Sequence, residues 1–121
     1  MTVPKKRTVQ QILDDLARLQ AELDAVSGDG VVVVRSGQSG CWLGRLVYKA
    51  GDEVKLADAR RLWYWSGAAS LSQLANEGVS KPGECKFPAT VAEVTVLGVC
   101  EIIPATATAV ASVAKVPEWR K

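Results

Sequence analysis

The sequence contains no histidine, so the side chain that serves most often as general base and metal ligand is missing. Carboxylate, lysine and tyrosine chemistry stay open, but we expect a protein that is not an enzyme and uses no cofactor. The three cysteines, Cys41, Cys85 and Cys100, are odd in number and lack Cys-x-x-Cys spacing. This pattern argues against a disulfide framework and a zinc site, and favours small buried side chains.

No apolar run approaches the roughly 20 residues that a membrane helix needs. The valine run Val31–Val34 has the length of a strand. The N-terminal segment 1–7 is basic, but polar and acidic residues follow it, so no secretory signal is expected. With 121 residues, of which 48% are hydrophobic, the chain can build one domain core. We therefore expect a soluble protein of the cytosol without membrane contact.

Strong charge of one sign is also missing, since the net charge is only +2. Residues 1–30 carry four basic and five acidic side chains, whereas residues 31–121 carry eleven basic and eight acidic ones. This excess is too small for a general DNA-binding protein, so we expect no long nucleic acid as partner. It suits a pocket for a small anion.

Residues 8–27 have the pattern of a helix. Thr8 and Gln11 form a capping-box signature, and the segment Ser27-Gly28-Asp29-Gly30 is typical of a helix end. The apolar positions recur with alternating spacings of three and four: Val9, Ile12, Leu16, Leu19, Leu23 and Val26. Two interpretations stay open, a helix packed on its own domain and a helix that pairs with the same helix of a second chain. We assign residues 1–29 to a tail and oligomerisation helix.

The remaining residues, 30–121, read as a β-rich ligand-binding domain. Strands are predicted at residues 30–35, 41–49 and 54–65, with a bulge or bend near Asp58, and a strand region is predicted over residues 90–103. Short helices are predicted after Ser70 and over residues 106–115. The expected fold class is α+β, an N-terminal helix followed by a compact antiparallel β core of four or five strands with two short helices.

The densest candidate for a binding site is the segment 59–67, which contains Arg60, Arg61 and Trp63. Adjacent residues on a strand point to opposite faces, so one arginine should be available to a ligand or a neighbouring subunit. A guanidinium group binds phosphate through two parallel hydrogen bonds, and an aromatic ring stacks on a base. The alternative is that the tryptophans belong to the core and the arginines to a solvated edge.

Three further residues are candidates. Lys86 and Phe87, the only phenylalanine, lie together in a proline-containing loop, and a cation beside a ring often lines a site. The alternative for Phe87 is an aromatic plug over the edge of the core. Lys115 lies at the expected end of the last helix, where interaction with the helix dipole also explains a cation. Trp119 is expected to pack against the β core.

The order of these motifs resembles a family of small phage proteins, the first-described type of Thoeris anti-defence protein. The resemblance covers roughly residues 30–119, and its most specific part is the stretch Arg-Arg-Leu-Trp-Tyr-Trp-Ser-Gly that begins at Arg60. It implies a sponge that binds cyclic ADP-ribose isomers without cleaving them. Cyclic di- or trinucleotides are bound by some members. It also implies a homo-oligomer, a dimer or a trimer of dimers, in the cytoplasm of the infected bacterial host.

The resemblance further implies roles for individual residues. One of Arg60 and Arg61 would contact phosphate or stack on adenine, and Phe87 would sandwich the base. Lys115 stands where the family has a basic residue near the last helix, although arginine would bind phosphate better. The competing hypotheses are a phage protein-interaction or virion-accessory module, and a β domain that binds nucleic acid.

Overall fold

The computed structural model describes residues 8–27 and 30–121, except for the side chains of residues 20–27. Within these residues the chain forms a five-stranded antiparallel sheet, a long first helix and two short helices, which confirms the predicted α+β class. The elements in chain order are α1 (Val9–Ser27), β1 (Val31–Ser36), β2 (Gly40–Ala50), β3 (Glu53–Arg61), α2 (Leu71–Glu77), a 3₁₀ turn (Pro82–Glu84), β4 (Val91–Val96), β5 (Val99–Pro104) and α3 (Ala107–Ala114).

Helix α1 begins at the predicted capping box. The backbone N–H of Thr8 donates to the Gln11 side chain at 2.8 Å, and the N–H of Gln11 donates to the Thr8 hydroxyl at 3.1 Å. Each side chain thus satisfies a donor that the first helical turn leaves free. Nowhere in residues 8–27 and 30–121 is a helix long and apolar enough to cross a membrane.

The described part of the apolar stripe of α1, from Val9 to Leu19, is exposed to solvent in the single chain. Val9, Leu16 and Leu19 are 74%, 57% and 56% exposed. The helix contacts α3 of its own domain, but this contact leaves the stripe uncovered. The predicted tail at residues 1–7, the predicted stop at residues 28 and 29, and the side chains of Leu23 and Val26 lie outside the described part of the chain.

The sheet curves into a partly open barrel. Its strand order is β4-β3-β2-β1-β5, so β4 and β5 lie at opposite edges. Only Leu97 and Gly98 connect these two strands, and so short a link requires the two edges to meet at this end of the sheet. Gly98 has a positive φ of 66°, which a tight turn needs. The predicted strand region over residues 90–103 contains two strands, β4 and β5, which this turn separates.

Strands β2 and β3 are bent where the sequence predicts it. Leu43 pairs with Arg60 and Arg45 pairs with Ala57, so the register shifts by one residue, and Asp58 has a φ of 50°. Gly44 lies inside this bend, where an added Cβ would stand only 3.0 Å from the Cβ of Leu56. β3 ends at residue 61 and not at residue 65 as predicted, because the chain there leaves β2 and continues as an irregular segment.

Apolar side chains form a core on each face of the sheet. The first core lies between the sheet and the two short helices, and its buried members include Val33, Leu43, Leu62, Leu71, Leu74, Phe87, Val113 and Val116. The second fills the concave side of the barrel with Val32, Val34, Trp42, Val54, Leu56, Ala59 and Val96. Both faces of β1 are therefore buried, which explains its unbroken run of valines.

The three cysteines are free thiols. Cys85 is buried as expected, Cys41 is half-buried, and Cys100 is exposed, which corrects the expectation that it is buried. Burial raises the pKa of the Cys41 thiol. Cys41 and Cys100 lie on β2 and β5, which flank β1, so two strand spacings of about 4.8 Å separate their backbones. This separation of the two strands exceeds the roughly 7 Å between Cα atoms within which a disulfide forms.

Helix α2 is bounded by two specific contacts. At its start the Ser70 hydroxyl accepts from the Gln73 N–H at 3.2 Å, the predicted cap. At its end Gly78 adopts a φ of 80° and lies against Ser112 of α3. The Ser112 hydroxyl accepts from the Val79 N–H at 2.9 Å and donates to the Val79 carbonyl at 3.1 Å. This junction fixes α2 against α3.

Replacing Gly78 with alanine is expected to lower the free energy of unfolding by about 2 to 4 kcal/mol, because the new Cβ meets the Ser112 side chain and the left-handed backbone disfavours it. Urea unfolding followed by circular dichroism measures the change. Gly37→Ala is the matched control, since a Cβ at Gly37 enters open space, and it should change stability by less than about 0.5 kcal/mol. Equal effects of the two variants would contradict this account.

Candidate functional site

Arg60 and Arg61 lie on opposite faces of the sheet, as the alternation of a strand predicts. Arg60 pairs with Leu43 and lies on the face that the short helices cover. Arg61 pairs with Trp42 and lies on the concave face of the barrel. The structure therefore separates two residues that the sequence grouped into one site.

The guanidinium group of Arg60 is occupied by the backbone of its own chain. It donates to the carbonyls of Pro88 at 3.0 Å, Val113 at 2.9 Å, Phe87 at 3.1 Å and Val116 at 2.8 Å. These bonds use four of the five N–H donors that an arginine has. The residue is only 9% exposed, and this burial lowers its pKa below the ordinary arginine value. The charge is stabilised by the four carbonyl dipoles, and the nearby Glu118 carboxylate partly opposes the lowering of the pKa.

Two residues that were predicted to contact a ligand have structural roles in this fold. One of Arg60 and Arg61 was expected to contact phosphate or stack on adenine, and four of the five donors of Arg60 bind carbonyls of its own chain. Phe87 was expected to sandwich a base, but its ring is fully buried in the core, and the Arg60 guanidinium lies 5.5 Å from its centroid. The alternative interpretation of Phe87, an aromatic plug of the core, is the one that the structure supports.

Arg60 forms one wall of a surface cavity of about 340 Å³. The other residues around this cavity are Ala89, Thr90, Ala114, Val116 and Glu118. Lys115 lies between two of them in sequence, is exposed, and ends α3 with its N–H donating to the Ser112 carbonyl at 3.2 Å. A cation at the C-terminus of a helix is favoured by the helix dipole, so its position there has a structural explanation as well.

Three irregular segments run side by side beyond the end of β3. Tyr64 and Lys86 form an antiparallel bridge, in which the N–H of Lys86 donates to the Tyr64 carbonyl at 2.7 Å and the reverse bond is 3.2 Å. The N–H of Trp119 donates to the Phe87 carbonyl at 3.0 Å. The segments that carry Tyr64, Lys86 and Trp119 are thereby held next to one another, although they are far apart in sequence.

The side chains of these three segments form a mixed aromatic and cationic surface. The Lys86 ammonium lies 5.9 Å from the centroid of Tyr64 and 5.7 Å from that of Trp119. Tyr64 is 52% exposed, Lys86 is exposed and Trp119 is half-buried. Both rings are within the range of a cation–π interaction. We call Tyr64, Lys86 and Trp119 the Lys86 surface.

Sequence reasoning found one member of the Lys86 surface and missed two. It chose Lys86 but paired it with the neighbouring Phe87, whereas adjacent residues in an extended segment point to opposite sides. Tyr64 lies inside the segment 59–67, which the sequence analysis had chosen as the densest candidate for a binding site. Trp119 was assigned to packing, and no local signal placed it beside Lys86. The candidate Trp63 is 63% exposed, so one of its faces is open to solvent.

Arg61 fixes a turn on the other face of the sheet. Its guanidinium lies 4.2 Å from the Trp42 ring centroid, and its Nη1 donates to the Ser39 carbonyl at 2.5 Å. The Trp42 indole N–H donates to the same carbonyl at 3.2 Å. These contacts hold the turn between β1 and β2. Arg61 is therefore engaged by Trp42 and Ser39 on the face of the sheet opposite to Arg60.

In residues 8–27 and 30–121, no group of three histidine, cysteine, aspartate or glutamate side chains is arranged to hold a metal ion. What the described residues define is a small α+β domain, a partly open antiparallel barrel with short helices on its convex face. A family model matches residues 30–113, and the chain belongs to this family, which is described as a domain of unknown function, DUF6948. No curated protein matches the chain, and no solved structure does either.

Replacing Arg60 with methionine is expected to lower the free energy of unfolding by about 3 to 5 kcal/mol. The Phe87 and Val113 carbonyls keep backbone donors, from Trp119 and Val116. The Pro88 and Val116 carbonyls lose the donor described for them, at a cost of about 1 to 3 kcal/mol each. Chemical unfolding measures the loss. Arg45→Met is the matched control, because Arg45 forms an exposed ion pair with Asp58 at 3.1 Å, and it should cost less than about 1 kcal/mol. A loss for Arg60→Met no larger than for the control would mean that the four bonds contribute little.

Proposed function

We propose that the protein binds and sequesters a cyclic nucleotide signal of the cyclic ADP-ribose type, without cleaving it, as a phage anti-defence sponge in the cytoplasm of an infected host. The observation that carries the proposal is the Lys86 surface, an exposed ammonium between two rings. The resemblance of the segment around Arg60 to the Thoeris anti-defence family supplies the ligand class. Cyclic di- and trinucleotides are further candidate ligands of the same chemistry.

The chemistry of the Lys86 surface matches such a ligand. A pyrophosphate needs a cation, and each charge-assisted hydrogen bond to it contributes roughly 1.5 to 3 kcal/mol. An adenine base needs a flat apolar face, and stacking on an aromatic side chain contributes roughly 1 to 3 kcal/mol. Lys86 can supply the charge, and Tyr64, Trp119 and the exposed Trp63 can supply faces. These residues take the place of Arg60 and Phe87 in the proposed site, while Lys115 and Arg61 stay candidates for contacts to other parts of a ligand or to a second chain.

Sequestration sets two requirements, tight binding and many copies, and neither requires a general acid or base. A few stacking contacts and charged bonds together reach about −12 kcal/mol, the free energy of nanomolar affinity. In this proposal the Lys86 surface retains its ligand intact.

Self-association through α1 is part of the proposal. The stripe of Val9, Ile12, Leu16 and Leu19 repeats with the spacing of a coiled-coil seam, and all four side chains are exposed in the single chain. Covering this stripe with the same stripe of a second copy would remove apolar surface from water on both chains. A dimer, or a trimer of dimers, is the assembly that we propose.

The same exposed stripe favours a second candidate function, that of a protein-interaction module. Apolar side chains at the outer half of β2, namely Leu46, Val47 and Tyr48, are also exposed. A patch of this kind on a small domain often marks a contact with another protein. This alternative predicts no nucleotide binding and a stable complex with a different protein.

Titration calorimetry with a panel of cyclic ADP-ribose isomers and cyclic oligonucleotides is expected to find one ligand with a dissociation constant near or below about 1 µM, which corresponds to about −8 kcal/mol. Heating the complex should release that ligand with unchanged mass and chromatographic mobility. A cleaved product would identify an enzyme instead, and the absence of any binding in the panel would favour the interaction module.

Lys86→Ala and Tyr64→Ala are expected to weaken this binding by about tenfold or more each, since each removes a charge or a stacking face worth more than about 1.4 kcal/mol. Lys49→Ala is the matched control for charge, because Lys49 is an exposed lysine on β2 whose ammonium donates to the Gly51 carbonyl at 3.1 Å. Unchanged affinity in both site variants, or an equal loss in the control, would place the ligand elsewhere.

Leu16→Asp is expected to reduce the mass of the assembly in sedimentation or light-scattering measurements, because the seam would have to bury a charge. Ala17→Asp introduces the same charge one residue away on the exposed helix, outside the seam, and should leave the assembly intact. A wild-type protein that is a monomer at all concentrations tested would refute the pairing.

A further inference from the structure

The four carbonyls that bind Arg60 belong to two segments of the chain. Two of them, those of Phe87 and Pro88, directly follow Lys86 in sequence. The other two, those of Val113 and Val116, belong to the end of α3 and the segment that continues to Trp119. Arg60 thus binds the backbone next to both the cation and one of the rings of the Lys86 surface.

The Phe87 carbonyl joins these contacts to the surface itself. It accepts from the Trp119 N–H at 3.0 Å and from the Nη2 of Arg60 at 3.1 Å. Arg60 therefore holds the acceptor on which the position of Trp119 depends. Its own strand continues through Leu62 to Tyr64, which bonds to Lys86 on both sides of their bridge. The guanidinium group thus binds the backbone beside Lys86 and the segment that leads to Trp119, and Tyr64 is joined to the same segments by its bridge to Lys86.

Only an arginine can make this arrangement. Its planar group offers five donors in a fixed fork, whereas a lysine offers three donors from a single atom. Four acceptors on two segments can be reached together by the fork but not by one ammonium. Burial of Arg60 also excludes water that would otherwise compete for these carbonyls.

We propose that Arg60 is the positioning residue of the Lys86 surface, which sets the separation of Lys86, Tyr64 and Trp119 through the backbone and does not itself contact the ligand. The consequence for ligand affinity rests on the proposed function, whereas the consequence for the geometry of the surface does not.

The geometry is tested in the protein without ligand, by NMR. The ε-methylene protons of Lys86 lie near two rings and should show an upfield ring-current shift. Arg60→Lys should move that signal by more than half of the way to the value of an exposed lysine, while Arg45→Lys, at an exposed ion pair, should leave it in place. An unchanged Lys86 signal in a folded Arg60→Lys variant would overturn the proposal, whatever the ligand.

Wild-type protein provides a second measurement that needs no variant at Arg60. The side-chain N–H signals of Arg60 should be protected from exchange, and saturation with the best ligand of the panel should leave them unshifted while it shifts Lys86. Phosphate contact by Arg60 would move these signals strongly and would overturn the proposal even if Arg60→Lys failed to fold.

A double-mutant cycle separates positioning from direct contact. Arg60→Lys should weaken binding by about tenfold in the wild-type background and by less than about threefold in a Lys86→Ala background, because its effect acts through Lys86. If the losses of affinity from Arg60→Lys and Lys86→Ala are independent and multiply, Arg60 would contact the ligand directly, and the proposal would be overturned. If no ligand binds the wild-type protein, the proposed function fails, while the NMR shift of Lys86 still decides whether Arg60 positions the surface.

Discussion

The guanidinium of Arg60 is the polar group on which the packing of the C-terminal segments against the sheet depends. Chain segments that leave a sheet carry carbonyls that no strand partner satisfies, and burying such carbonyls without donors is costly. Four carbonyls of the segments around Phe87 and Val116 accept from this one side chain. Two of them, those of Phe87 and Val113, also accept from the backbone N–H groups of Trp119 and Val116. The C-terminal part of the chain is thereby fixed against β3, and the first core closes around Phe87.

The two faces of the curved sheet are covered in different ways. The concave face is filled by side chains of the barrel itself, and Arg61 with Trp42 closes it at the turn between β1 and β2. The convex face needs α2, α3 and the irregular segments to cover it. Because those segments are held by hydrogen bonds outside any regular strand, their outward side chains are free to form a surface, and the Lys86 surface lies there.

The proposed function follows from how cations are distributed. Of the six candidate residues, Arg60 and Phe87 are buried and used by the fold. Lys86 keeps its charge at the surface and lies between two rings, a combination that suits a phosphate-bearing base. The exposed stripe of α1 adds a separate surface, which suits a second copy of the chain.

Much of the fold could be predicted from local sequence, because the signals are local. The capping box at Thr8, the valine run of β1, the bend at Asp58 and the cap at Ser70 each arise from a few neighbouring residues, and all are present in the structure. The position of the turn at Gly98 within the predicted strand region was not identified, because apolar composition is continuous across it.

The candidate site, unlike these local elements of the fold, could be predicted only in part from the sequence. The sequence by itself determined that adjacent arginines point to opposite faces and that a lysine lies in an irregular loop. Tertiary structure alone decided that Arg60 turns inward to carbonyls about 27 to 56 residues away and that Trp119 meets Lys86. Whether a charged side chain binds a ligand or its own backbone depends on which acceptors the folded chain brings to it, and these contacts between distant residues leave no periodicity or spacing in the sequence.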